Sequence, residues 1–320
     1  MINLRFHVVS LISVFLALAV GIAVGATVVD QGLLQATRSN LDSVEQEVKE
    51  RNDQIRQIEG ERDDWQQLGT QGVDRLMGRR LRGVPVLVVT VKGIDRRPVD
   101  ALVRDLKTAE ADVVAQITLG PRLDLGQAAD VEAARRALDA ASTRTDTIRF
   151  MLHKRMRDAV ITPSADSMLE PLRTAGLLES AADVPVPELP VATRVIVISG
   201  RGAELADDAF VIPWLKAIGE SDPARVVAVE APTPEPSAET PAGGDSPAPA
   251  SENPPKPKLT FVNKIRDDDD VALRLSTVDD LDSLGGRVSV ILAVEDIAAP
   301  VTGHYGIYDG ADRLLPAPAS

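Results

Sequence analysis

The longest apolar run in the chain is also the first: "VVSLISVFLALAVGIAVGATVV", residues 8–29, holds no charged side chain. At about 1.5 Å of rise per residue it spans about 33 Å as a helix, matching a hydrocarbon core of about 30 Å. A signal peptide carries only about 7–15 apolar residues. The pattern therefore predicts a retained transmembrane anchor over residues 1–29. A cleaved signal is the alternative, because Ala23, Gly25 and Ala26 resemble a cleavage site. Ala17, Gly21 and Gly25 recur every four residues, the small-residue ladder by which membrane helices approach closely. Arg5 precedes the run and Asp30 follows it, so the positive-inside tendency predicts that residues 30–320 lie outside the cytoplasm.

The pattern then changes to an interrupted seven-residue repeat free of proline. With Leu34, Leu41, Val48 and Ile55 at position a, Val44, Ile58 and Trp65 fall at d, which predicts a coiled-coil stalk over residues 30–77. Thr37 and Arg51 occupy d and Arg62 occupies a, so the seam is imperfect. Glu45 with Lys49 and Glu47 with Arg51 add helix support at i,i+4 spacing. An amphipathic helix packed on its own domain is the alternative, since periods of 3.5 and 3.6 differ little over this length. Gly69, Gly72 and Gly78 are expected to break the helix.

From "GVPVLVVTV" onward, short β-branched runs alternate with amphipathic stretches. Strands are expected at 86–91, 112–117, 194–199, 225–229 and 271–276, and helices at 98–109, 128–141, 164–178 and 209–218, with a further helix over "VSVILAVEDI". Such alternation predicts an α/β domain, residues 84–320, built on an open, mostly parallel sheet with helices on both faces. Residues 231–257 are proline-rich and hold no aliphatic side chain larger than alanine, so they cannot bury enough surface to offset the entropy of ordering. They read as a disordered insertion within the domain, with a linker to a separate small domain as the alternative.

Composition removes several functions. A net charge of -13 argues against nucleic acid, whose counterions only a basic face displaces. The chain has no cysteine, which excludes disulfides, thiolate metal sites and cysteine nucleophiles. "ISGRGAEL" begins like a dinucleotide fingerprint, but Leu205 stands at the third glycine position, and a tight strand-to-helix turn accounts for Gly200 and Gly202. The run Asp267 to Asp270 lacks the spaced ligands of a calcium loop and reads as a solvated turn. "MLHKRM" sets Met151, His153 and Met156 together, residue types that copper(I) accepts. On a helix only His153 and Met156 share a face, so a methionine packing the core beside an exposed histidine is the plainer account. "GHYG" places His304 and Tyr305 between glycines, as a turn closing the last helix or as one presenting both side chains to a partner. No catalytic residue and no resident cofactor is expected, and a hydrolase using His304 lacks converging partners.

The opening "MINLRFHVVSLISVFLALAVGIAVG", the stalk, "VDDLDSLGGRVSVILAVEDI", "GHYG" and the Leu-Leu-Pro ending together resemble the actinobacterial MctB family over nearly the whole chain, the proline-rich insertion excepted. That family is labelled copper transporter and includes SteB, a cell-division envelope protein. The resemblance implies two functions. One is copper efflux through an outer-membrane pore. The other is a membrane-tethered partner of SteA that supports septal peptidoglycan remodelling. A single membrane helix encloses no pore without oligomerising, so the expected function is the second: a non-enzymatic, single-pass envelope protein whose stalk forms homo- or hetero-oligomers with a SteA-like membrane partner.

Overall fold

The computed structural model describes residues 4–162, 168–190, 192–222, 225–231, 260–295, 302–308 and 310–316, and for parts of the long first helix the backbone only. Residues 232–259, which include nearly all of the proline-rich segment, lie outside the described residues. The chain divides into two units, Met1–Leu68 and Gly69–Ser320.

The first unit is helix. Helix α1 (Leu4–Met77) continues past Gly69 and Gly72, so these glycines do not break it and the helix ends only at Met77. Isolated glycines cost a helix about 1 kcal/mol each, too little to stop a long one. Gly69 has a packing reason as well: a Cβ there would lie 2.3 Å from Leu284 Cδ2. Within α1, Phe6–Val24 is long and apolar enough to cross a membrane, with a mean hydropathy of 2.5 and none of its surface buried in the protein.

The second unit builds a sheet from β1 (Pro85–Val91), β2 (Asp112–Leu119), β3 (Leu178–Ser180), β4 (Arg194–Gly200), β5 (Val226–Ala231), β6 (Ser276–Val278) and β7 (His304–Tyr305). Their order is β3-β2-β1-β4-β5-β6-β7. Every pairing is parallel except β2 with β3, an antiparallel edge. The sheet passes from β5 across the proline-rich segment to β6 and β7, so the C-terminal part completes the same sheet.

Alternation along the central strands sorts side chains between two cores. Leu87, Val89, Val195, Val197, Val226 and Ala228 face one layer, and Val86, Val88, Ile196, Ile198, Val227 and Val229 face the other. The second face is covered by α2 (Arg96–Thr108) and α9 (Leu284–Glu295) through Leu102, Leu106, Val290 and Ile291. The first is covered by α3 (Ala128–Ala137), α4 (Thr145–Ile161), α5 (Glu170–Thr174), α6 (Ile212–Ser221), α7 (Phe261–Arg266) and α8 (Asp269–Ala272). Strands buried on both faces are what a parallel sheet between helical layers requires.

Two expectations are corrected here. Residues 271–276 are not a strand, because Asp268 caps α8 through the Asp270 amide and the strand β6 begins only at Ser276. The helix expected at 164–178 shrinks, within the described residues, to the single turn and a half of α5, and Leu178 already belongs to β3.

Candidate functional site

In an open parallel sheet the place for a ligand is the crevice beyond the carboxyl ends of the strands, where connections turn to opposite sides. That switch point lies here between β1 and β4, and it is closed by backbone. The Glu204 amide donates to the Lys92 carbonyl at 2.7 Å. Gly93, at φ 98°, sits so close to the opposing loop that a Cβ would meet the Gly202 carbonyl oxygen at 2.1 Å. Gly200 and Gly202 both have positive φ, as a tight turn requires. The glycines serve the contact of two loops, and the strand ends are pinned together rather than splayed around a ligand.

The most polar region of the sheet's carboxyl edge is farther along, where "VDDLDSLGG" and "GHYG" meet. Arg266, at the end of α7, is buried and forms an ion pair with the buried Asp279 at 2.9 Å. Its Nε donates to Thr277 Oγ1 at 3.0 Å and its Nη2 to the Tyr305 carbonyl at 3.1 Å. Asp279 also accepts the Ile307 amide at 2.9 Å. Gly306 is held against this carboxylate so tightly that any Cβ would overlap Asp279 Oδ1. Next in sequence, Asp280 accepts from Ser283 Oγ at 2.6 Å, and Ser283 Oγ accepts the Gly286 amide at 2.9 Å in the first turn of α9. Burial pushes the Asp280 carboxyl up to about 6, helped by the neighbouring charges of Asp279 and Asp282. These polar contacts staple β6, β7, α7 and α9 together, and neither Gly286 nor Gly306 can take a side chain without displacing backbone or a carboxylate.

His304 Nδ1 lies 2.9 Å from Thr277 Oγ1, and the His304 amide donates to Asp312 at 3.0 Å. Burial, and secondarily Arg266, holds the imidazole below its ordinary pKa, so it is neutral at physiological pH. Tyr305 is 4% exposed. The turn therefore faces the domain: Tyr305 packs inward, and the two side chains are not displayed together for a partner.

The candidate copper ligands share α4 but not one site. Met156 is fully buried in the core, whereas Met151 is half-buried. His153 is half-buried, not exposed, with its ring 4.6 Å from that of Phe210 and its Nε2 buried without a hydrogen-bond partner among the described residues. Burial lowers its pKa, with Arg149 adding to the effect, so this imidazole too is neutral. Among the described residues no group of three or more His, Asp or Glu side chains is arranged to hold a metal ion.

On α1, Leu41, Val44, Val48, Ile55 and Ile58 are each 52–65% exposed and follow the 3-4 spacing of a coiled-coil seam. Arg51, in the same stripe, pairs with Glu47 one turn earlier at 3.0 Å. Ala17 and Gly21 are exposed on the apolar segment. The side chains of Leu34, Arg62 and Trp65, and the surroundings of Gly25, lie outside the described residues.

Sequence reasoning passed over other buried polar groups. Glu230 caps α7 by accepting the amides of Thr260, Phe261 and Val262 at 2.8–2.9 Å. Ser199 donates to Asp207 at 2.6 Å, and burial raises that carboxyl. Glu230 stands at the end of the apolar strand β5 and Asp207 at the start of the helical turn before α6.

Comparison with known proteins agrees with this architecture's sequence markers. The family model described as "Copper transport outer membrane protein, MctB" matches residues 1–240 and 250–316. Proteins named "Copper transporter MctB" from Mycobacterium bovis and Mycobacterium tuberculosis are 27% identical to this chain, over 97% of it and 98% of their own length. With its apolar first helix, its acidic motif at the start of α9 and its glycine-flanked β7 all inside the matched region, the chain belongs to the MctB family.

Proposed function

We propose that this protein is a non-enzymatic, membrane-anchored component of the cell envelope that works by assembling its stalk with that of another anchored protein, a SteA-like partner in cell division and envelope remodelling. The observation that carries this is the exposed stripe from Leu41 to Ile58. Apolar side chains at heptad spacing on a solvent-exposed helix leave burial to a second helix. The anchor fixes the direction: two chains rooted in one membrane bring their stalks together in parallel. The closed switch point between β1 and β4 adds support, since the crevice such sheets use for small substrates is taken up by the protein's own loops. The test is co-purification of the full-length protein after cross-linking in cells. A parallel partner cross-linked through positions 41–58 is the expected result. Recovery of uncross-linked monomer alone ends the proposal.

A second function, copper transport, is favoured by the name of the mycobacterial relatives. In this chain it meets a thin ligand set, because Met156 points into the core and leaves His153 and Met151 on different faces of α4. Copper(I) titration of the full-length protein against the Met151→Leu, His153→Gln double variant tests it without cutting the core. Unchanged, weak binding in both is expected. Stoichiometric binding lost in the variant would restore the transport function. Met156→Ala is a poor probe, since truncating a buried methionine costs about 2–5 kcal/mol of stability by itself.

A further inference from the structure

A cleft of about 790 Å³ opens on the globular unit between α3, α5 and the 3-10 turn after β2. Ala133, Ala137, Pro171 and Ala175 give it apolar walls, and three charged side chains line it: Arg122, Arg136 and Glu170. Their hydrogen bonding is unequal. Glu170 is spent, because Arg173 grips both of its oxygens at 2.6–3.1 Å and the Val186 amide takes one of them at 2.9 Å. Arg173 foremost, then the Val186 amide, holds that carboxyl below its ordinary range, so it stays ionised and occupied.

The two arginines have donors to spare. Arg122 is fixed in place by Nε on Asp130 at 2.7 Å and by Nη1 on the carbonyls of Ala175 and Gly176 at 3.0 and 3.1 Å. Gly176, at φ 69°, makes room for it, since a Cβ there would stand 2.8 Å from Nη1. Nη2 of Arg122 has no partner among the described residues. Arg136 uses only its Nε, which donates to the Glu132 carbonyl at 3.4 Å and lies 3.7 Å from the Glu132 carboxylate, and Arg135 already holds that carboxylate with two bonds of 2.8 Å. Both Nη atoms of Arg136 are likewise uncommitted among the described residues. A guanidinium locked by a carboxylate and two carbonyls, with one nitrogen left over, is preorganised to donate to an oxyanion.

We infer that this cleft binds a small oxyanion, a carboxylate or a phosphate, carried on a short apolar body. Arg122 and Arg136 take the head and the alanine and proline walls take the body. The inference is independent of the stalk. Because the arginines are partly exposed, the head alone binds weakly, and the apolar body supplies the larger share of affinity.

The test is calorimetric titration of the full-length protein in lipid nanodiscs, with empty nanodiscs as the blank. The probes are inorganic phosphate, butyl phosphate, pentanoate and butanol. Butyl phosphate or pentanoate is expected to bind one to one, at least about tenfold tighter than inorganic phosphate, and whichever binds tighter identifies the head group. Arg136→Gln, at an exposed position, should weaken that binding about five- to tenfold. Ala137→Phe, which fills the cleft, should abolish it while the thermal unfolding midpoint is held. Two outcomes overturn the inference: no saturable heat with either amphiphilic anion, or binding that both variants leave intact. Butanol binding as tightly as the anions overturns the role of the arginines.

Discussion

Asp280 stands before the first turn of α9, 3% exposed, with Oδ2 taken by Ser283 and Oδ1 buried without a hydrogen-bond partner among the described residues. Desolvation outweighs the Ser283 bond, and the folded-state pKa rises from 3.8 to about 6. A raised carboxyl pKa means that the folded state holds the proton more tightly than the unfolded one. The stability this group contributes is therefore full below about pH 4 and is lost as pH rises through about 6. The shift corresponds to about 3 kcal/mol. Asp280→Asn removes the titration, so the variant should gain on the native protein between pH 4 and 7, by up to about that amount, in paired thermal or urea unfolding curves. A difference independent of pH would mean that Asp280 is ionised at all these values. Little of this was legible beforehand. "VDDLDS" showed acids before a helix and contains Ser283, the partner of Asp280, but the pairing of Asp279 with Arg266 is set by how α7 packs on the strand ends, which no local pattern displays. Glycines on both sides leave the Tyr305 side chain free to point either way, and it packs inward against Gly303 and the sheet.

At the scale of elements, four expected strands are present: β2, which is only partly buried, and three that are buried on both faces. β1, β4 and β5 are continuous apolar runs with turn residues after them, a local signal. β3, β6 and β7 have three, three and two residues, too short to display a period, and they exist because a neighbouring strand end offers hydrogen bonds. In "DDDDVALRLS" Val271 and Leu275 stand four apart and both are buried, so the helical spacing was present beneath an apparent alternation. On α1 the apolar positions from Leu41 to Ile58 are exposed, and the defects of the repeat carry a prediction. Positions e and g hold Glu45, Glu47, Glu59 and Glu61, so a parallel pair of identical stalks gains few bridges there. Arg51 is 71% exposed beside Glu47, an arrangement worth only a few tenths of a kcal/mol, and burying it in a homotypic seam sacrifices its hydration. A partner with basic e and g positions and a carboxylate facing Arg51 and Arg62 answers both defects. Replacing Arg51 and Arg62 with leucine should strengthen self-association while weakening the partner complex, read by sedimentation and cross-linking of the full-length protein. Equal strengthening of both would show that the arginines do not select the partner.

Along the chain, the order of apolar segment, long helix and α/β unit follows from three textures that seldom overlap in one sequence: an uncharged run, a seven-residue repeat, and short apolar runs between amphipathic ones. What the textures leave open is the side of the membrane, and there the forces are small. Before the apolar run stand Arg5 and the chain's amino group; in the first turns after it stand Asp30 and then Arg38. The bias rests on a surplus of about one positive charge, since acidic residues weigh little in orientation and the unit's net negative charge contributes almost nothing. We predict that residues 30–320 lie on the extracytoplasmic side and stay attached to the anchor. A reporter active only outside the cytoplasm, fused after Ser320, should be active, and the amino terminus of the mature protein should precede the apolar run. Arg5→Glu should lower the correctly oriented fraction several-fold, because it removes most of the surplus while leaving the hydrophobic length unchanged. A mature amino terminus near Thr27 would mean that the run is cleaved, and a stalk released from the membrane would have no anchored neighbour to meet in parallel.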